Sequence, residues 1–250
     1  MKAFRDLHVH SCFCDGHNTP EELVLFALEK GLGGLGICTH AYFSQEEGYC
    51  IPLEKYGEFQ GEIARLKEKY AGRIELLCGV EQEYFSEADT SGFDYIIGSA
   101  HYVKVGGEYV SVDARPELFE EGCRKHFGGD YYALAQAYFE TVSDVVEKTH
   151  CDFIGHFDIV SKYNCGDSHF SESDPRYVSA WKAAADRLLA YNIPFEINTG
   201  GVFRGWRDLP YPAPPILDYL RQHGGRFLLS SDAHKKESIG YLFEENAGLL

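Results

Sequence analysis

The chain has 250 residues, 44% hydrophobic and 14% aromatic, enough apolar material for a sizeable core. Its 23 basic and 39 acidic side chains leave a formal net charge of −16, which argues against a nucleic-acid backbone or an anionic membrane as partner but not against a small anion met through metal ions. Eight cysteines without a CxxC pair, no charged-then-apolar leader and no apolar run long enough to cross a bilayer lead to the expectation of a reduced, cytoplasmic protein whose thiols mostly fill space.

Strand-like and helix-like runs alternate along the chain, the pattern of a parallel α/β fold. The first run, residues 3–10, ends in Asp6-Leu7-His8-Val9-His10. Two histidines two apart on a strand share a face, so both imidazoles can reach one divalent ion. In Thr19-Pro20-Glu21-Glu22 a capping hydroxyl, a first-turn proline and a closing glutamate start a helix, and Leu23, Phe26, Ala27 and Lys30 continue it to Gly31. Further strands are predicted at 34–39, 74–81, 95–99, 153–156, 195–198 and 227–231. Further helices are predicted at 56–70, 131–148, 177–191 and 215–223. The Gly-rich stretch 101–129 suggests a short hairpin around Gly106-Gly107, and long insertions of this kind often cover an active site. The run ending at Leu250 is helix-like but short. With no linker, repeat or low-complexity segment, the expectation is one domain over residues 1–250, its seven strands forming a closed or nearly closed barrel.

The candidate site residues sit where predicted strands end and loops begin, the functional end of such a barrel. His8 and His10 end the first strand, and Asp15 lies in the loop after it. His40, Glu81, His101 and His156 end or follow later strands, and Asp232 and His234 follow the last. Imidazole and carboxylate together suit zinc, manganese or iron. Nine such residues exceed the needs of one tetrahedral ion, so two or three ions are implied. Glu83 and Asp158 read as acceptors orienting a ligand imidazole at least as readily as ligands themselves. His126, His150, His169 and His223 lack the strand-end placement and read as ordinary side chains. Lys162, Arg204 and Arg207 offer cations for a bound phosphate, with Pro210-Tyr211-Pro212 stiffening the arginine loop.

Asp6-Leu7-His8-Val9-His10-Ser11, Thr39-His40, Gly79-Val80-Glu81, Gly98-Ser99-Ala100-His101, Gly155-His156-Phe157-Asp158 and Ser231-Asp232-Ala233-His234 resemble, in this order, the motifs of the PHP superfamily, the polymerase and histidinol phosphatase group. The resemblance implies a distorted (β/α)7 TIM-like barrel with a trinuclear metal centre. One ion would take His8, His10, Glu81 and Asp232. A second would take His101, His156 and the other oxygen of Glu81. A third would take Asp15, His40 and His234, with His17 as the alternative to Asp15. Three divalent ions, three carboxylates and one hydroxide leave a net charge of about +2, which suits a phosphate dianion. The lysine and arginine-rich loop is similar to the histidinol-phosphatase branch. That branch implies hydrolysis of L-histidinol phosphate to L-histidinol and phosphate, a step of histidine biosynthesis, through a metal-bridging hydroxide. In this reading Arg204, with Lys162 and Arg207, holds the phosphate. Asp232, His234 or a metal-bound water protonates the leaving alkoxide, and acidic loop residues pair with the substrate's ammonium and imidazole. Two other readings stay open: a general phosphoesterase acting on nucleotides, oligonucleotides or phosphotyrosine, and a metal-binding module without turnover.

Overall fold

A computed structural model describes residues 4–45 and 48–250. Nine strands appear in chain order: β1 (Arg5–His10), β2 (Gly34–His40), β3 (Glu75–Glu83), β4 (Tyr95–Ser99), β5 (Tyr102–Val105), β6 (Glu108–Ser111), β7 (Phe153–Ile154), β8 (Pro194–Asn198) and β9 (Arg226–Ser230). Seven of them form one parallel sheet in the order β1-β2-β3-β4-β7-β8-β9. The sheet curls until its ends meet. Val9 bridges Ala233 in parallel, with His10 N donating to Ala233 O at 2.7 Å and Ala233 N to His8 O at 3.0 Å. The result is a nearly closed barrel. β5 and β6 form the hairpin expected around Gly106-Gly107. Ala3, the first residue of the expected opening strand, lies outside the described residues.

The helices are α1 (Pro20–Glu29), α2 (Tyr56–Lys69), α3 (Pro116–Phe127), α4 (Tyr131–Val142), α5 (Val145–Thr149), α6 (Pro175–Leu189), α7 (Gly200–Phe203), α8 (Pro214–Gln222) and α9 (Phe243–Asn246). The Thr19 hydroxyl accepts from Glu22 N at 3.3 Å while the Glu22 carboxylate accepts from Thr19 N at 2.8 Å, a closed capping box. Two expectations need correction. The helix predicted over 131–148 is two helices. The Ser143 hydroxyl turns back to donate to Glu140 O at 2.8 Å, and Asp144 N, at φ −103°, ψ 0°, donates to Thr141 O at 3.2 Å instead. α3 lies inside the Gly-rich stretch and is not among the predicted helices. Its signals are a proline at the first turn and Gly128 at φ 62° after the last, with Phe119 and Cys123 buried one turn apart.

The barrel interior has two layers. The floor is apolar: Leu7, Cys38, Leu77, Tyr95, Ile97, Phe153 and Leu228 pack together. Tyr95 spans it, donating its hydroxyl to Leu7 O at 2.6 Å. A Cβ at Gly79 would sit 2.2 Å from Tyr95 Cζ, and one at Gly36 2.2 Å from its hydroxyl oxygen, so both strands thin out to let the ring cross. Above the floor, the interior positions of β3 change character within two residues, from Leu77 and Gly79 to Glu81 and Glu83. β1 reaches the same layer through a register shift between Asp6 and Val9. This bulge breaks strict alternation, so Leu7 joins the floor while His8 and His10 both reach the carboxylates above it.

Candidate metal centre

Glu81 is the hub. Its Oε2 lies 3.1 Å from His8 Nε2 and 3.4 Å from His10 Nε2, and these nitrogens lie 3.7 and 3.6 Å from Asp232 Oδ1. Its Oε1 lies 3.0 Å from His156 Nε2 and 3.3 Å from His101 Nε2, which are themselves 3.3 Å apart. A tetrahedral ion with bonds of about 2.0–2.1 Å spaces its ligands about 3.3 Å apart. Both donor groups match that spacing. The first offers four donors and the second three, open on the cavity side. His8 Nε2 and Glu81 Oε2 are buried without a hydrogen-bond partner, as metal-directed atoms would be. A third group gathers around Asp15, whose two oxygens lie 3.1 Å from His234 Nε2 and 3.5 Å from His40 Nε2. His10 stacks between His40 and His234, at 4.2 and 4.4 Å between ring centroids. His17 lines the same cavity. The residues present therefore fit two or more divalent ions.

The electrostatics show how strongly this site calls for positive charge. Burial opposes ionisation of Glu81, but the imidazoles of His8, His40 and His101 hold it well below the usual carboxylate range. Burial likewise opposes ionisation of Asp15, and His40 and His234 outweigh it. Burial works against a charge on His8, yet Glu196, Glu81 and Asp232 raise its pKa well above the ordinary imidazole value. His10 is the exception. Burial, with His40 and His234 beside it, pushes it down to about 3, leaving a neutral ring with a lone pair.

Side chains behind the donors fix them. Glu196, which the motifs did not single out, is fully buried on β8. Its Oε1 accepts from His8 Nδ1 at 2.6 Å and from the Ser230 hydroxyl, and its Oε2 from His156 N at 2.7 Å and Asn198 Nδ2 at 3.0 Å. Glu83 holds His101 through both backbone and ring, at 2.8 and 2.9 Å. Asp6 accepts from Ser231 N at 3.1 Å, Ser231 Oγ at 2.5 Å and Gly240 N at 2.9 Å, which pins the segment leading to Asp232. Burial raises Asp6 to about 6 despite those bonds. Asp232 itself sits at φ 47°, a left-handed conformation costing roughly 1–3 kcal/mol that this pinning sustains. The sequence signal for Asp6 and Glu196 was their placement: an acid amid apolar residues of a predicted strand is buried and needs partners. Two thiols also approach the centre, with Cys38 Sγ 3.8 Å from His10 Nε2 and Cys14 Sγ 3.5 Å from His10 Nδ1.

The cations divide. Arg204 lines the cavity, but its Nη2 donates to Asp232 Oδ2 at 2.7 Å and its Nη1 to Asp232 O at 3.0 Å, so it steadies a candidate ligand as well as facing the cavity. Lys162 also lines the cavity and donates to Asp113 O at 2.7 Å. Arg207 is a correction. It bonds Glu172 at 2.8 Å and Ser161 O at 3.0 Å and does not line the cavity, because its buried guanidinium closes an internal ion pair. Asp158 orients no imidazole either: it accepts from Ala213 N at 3.0 Å, and burial raises it to about 6. The cavity over the donors measures about 630 Å³, and its other walls include Tyr49, Ile159, Phe203, Trp206 and Lys235.

Comparison with known proteins agrees with this geometry. The PHP domain family model matches residues 6–200. A protein of Deinococcus radiodurans named "Probable histidinol-phosphatase" is 30% identical over 98% of this chain and 92% of its own length. A Schizosaccharomyces pombe protein of the same name is 27% identical over 93% of this chain and 81% of its own. Among solved structures, hisK of Listeria monocytogenes superposes with a TM-score of 0.86 at 22% identity, covering 96% of this chain and 99% of that one. The histidinol phosphate phosphatase of Lactococcus lactis, solved with zinc, L-histidinol and phosphate, superposes with a TM-score of 0.72 at 21% identity, covering 99% of this chain and 92% of that one. A barrel whose first and last strands close beside a Glu81-centred cluster, matched by one family model over most of its length, leaves one assignment: the chain belongs to the PHP domain family.

Proposed function

We infer that this protein is a histidinol-phosphate phosphatase, a phosphoric monoester hydrolase that converts L-histidinol phosphate to L-histidinol and phosphate. The observation that carries the inference is Glu81, which offers one oxygen to the His8, His10 and Asp232 group and the other to the His101 and His156 pair, at the bottom of a cavity sized for a small ester. The relatives named as histidinol-phosphatases over nearly the whole chain give the substrate. Three ions, zinc, manganese or iron, would be held by His8, His10, Glu81 and Asp232, by Glu81, His101 and His156, and by Asp15, His40 and His234. When bound, such ions supply a water of lowered pKa and offset the charge of the phosphoryl group. The chain's own residues do the rest. Glu196 and Glu83 fix the faces that His8, His156 and His101 present. Arg204 and Lys162 put positive charge on the wall a phosphoryl group would meet. Burial opposes ionisation of Asp232, but Arg204 and the imidazoles of His8 and His234 hold it well below the usual carboxylate range, as suits a residue that would hold an ion. With Asp232 and His234 both among the residues that would hold ions, neither is placed to protonate the leaving alkoxide, which leaves that proton to solvent. The setting for such a biosynthetic enzyme is the cytoplasm, with a small-molecule partner.

The test is turnover of L-histidinol phosphate beside a panel of nucleotides, phosphotyrosine and simple monoesters, together with elemental analysis of the same preparation. At least a tenfold preference in kcat/KM for histidinol phosphate is expected. A comparable preference for another ester would reassign the substrate, and metal-loaded protein inert toward every ester would remove the enzymatic reading.

A further inference from the structure

Two thiols, Cys12 and Cys14, follow the paired histidines of β1, and the fold separates them. Cys12 is exposed, while Cys14 is half-buried and turns back toward the centre. The loop is shaped for this return. Ser11 O accepts from Cys14 N at 3.0 Å, from Cys14 Sγ at 3.6 Å and from Gly16 N at 3.1 Å. A Cβ at Gly16 would sit 2.4 Å from His10 O, so only glycine lets the chain fold back this closely. The Cys14 sulfur then lies 3.5 Å from His10 Nδ1, while the other ring nitrogen, Nε2, lies 3.4 Å from Glu81 Oε2 and 3.6 Å from Asp232 Oδ1.

A ligand imidazole is aimed by what its second nitrogen bonds. His8 and His101 have carboxylates there, Glu196 and Glu83. His10 has a different need, because its ring lies between those of His40 and His234 at interplanar angles of 17° and 29°. Stacking on both faces fixes the plane of the ring but not its edge: a half-turn about Cβ–Cγ gives the same plane with a carbon where each nitrogen was. An in-plane bond at Nδ1 removes that ambiguity. A thiol can make it, accepting from Nδ1–H at sulfur while its own S–H donates to Ser11 O. It does so without adding a charge to three stacked imidazoles. We propose that Cys14 is a positioning residue for His10, selecting the ring edge that faces Glu81 and Asp232 and so leaving Nε2 as a metal donor. The proposal rests on the metal-centre reading and not on the identity of the ester.

The experiment measures zinc affinity by competition with a chelator in wild type, Cys14→Ala, Cys14→Val, Cys14→Ser and the control Cys12→Ala, beside the denaturant midpoint of each metal-free protein. Cys14→Ala and Cys14→Val, the second keeping water out of the thiol's place, should bind zinc about 10- to 100-fold more weakly at one site. Cys14→Ser, whose hydroxyl accepts and donates in the same way, should recover most of that affinity, and Cys12→Ala should bind as wild type does. Metal-free midpoints should change little. Wild-type affinity in both Cys14→Ala and Cys14→Val, or a metal-free midpoint that falls in step with affinity, would overturn the proposal. So would a near-ultraviolet thiolate-to-cobalt band in the cobalt-loaded wild type that Cys14→Ser abolishes, because Cys14 would then be a ligand itself. Variants that bind zinc as expected, in a protein that hydrolyses no ester, would uphold Cys14 and overturn the phosphatase reading. A wild type that binds no zinc would overturn both.

Discussion

The floor and the mouth of this barrel are built on the same strands and obey opposite rules. On β3, Leu77 belongs to a dry layer with Ile97, Phe153 and Tyr95, while Glu81, four residues on, faces His8, His10, His101 and His156. The floor gains from every contact, because apolar groups removed from water and closely packed are stabilising wherever they meet. The mouth is costly as it stands. Buried carboxylates and imidazoles lose hydration, and their mutual attraction offsets that only in part. The lesson is a division of labour: the floor supplies stability that lets the mouth hold ionisable groups close together, a local sacrifice common at functional sites.

If that division is right, the two layers should fail differently. Glu81→Ala should have the largest effect. It removes a donor from two groups at once, so kcat/KM should drop by more than about 10³-fold and metal content should fall with it. The same variant should lose the stabilisation that metal gives wild type, which at a thousandfold excess over Kd is about 4 kcal/mol, or roughly 10 °C in Tm. Retained metal and activity would remove Glu81 from the hub. Ile97→Ala, fully buried in the floor, should behave in the reverse way. It should cost about 2–5 kcal/mol in chemical denaturation while the folded fraction binds metal as wild type does. Loss of metal affinity in that variant would show the layers are not separable.

The sequence was a good guide where one local pattern decides the outcome. The strand-end acids and histidines announced the mouth because a ligand type at the end of an apolar run is visible without knowing the fold. Thr19 to Glu22 announced α1 for the same reason. Sequence reading failed where distant residues decide. Nothing local tells that Arg207 meets Glu172 instead of the cavity, or that Arg204 reaches across to Asp232. α3 lies in a stretch whose glycines mark the hairpin and point away from a helix between them and Gly128. The break between α4 and α5 depends on a single serine hydroxyl choosing a carbonyl, which periodicity over 131–148 cannot resolve.

The finest test of the comparison lies between the layers, at Glu196. Leu228, two residues before Ser230 on the neighbouring strand, belongs to the floor, while the Glu196 carboxylate supports the mouth. Both its oxygens are used twice. Oε1 takes the His8 ring and the Ser230 hydroxyl, and Oε2 takes His156 N and Asn198 Nδ2. Glu196→Gln preserves volume, so packing below should be untouched. An amide, however, has one acceptor oxygen and one donor nitrogen, and whichever way it turns it must point N–H at a group that also donates. Either His8 or the His156 backbone then loses its support. Metal affinity should fall about 10- to 100-fold, with kcat largely recovered at saturating metal and with a much smaller loss in denaturant midpoint than Ile97→Ala gives. Unchanged metal affinity in Glu196→Gln would mean that His8 and His156 hold their directions by packing alone, and that the floor, not the carboxylate behind them, aims the donors.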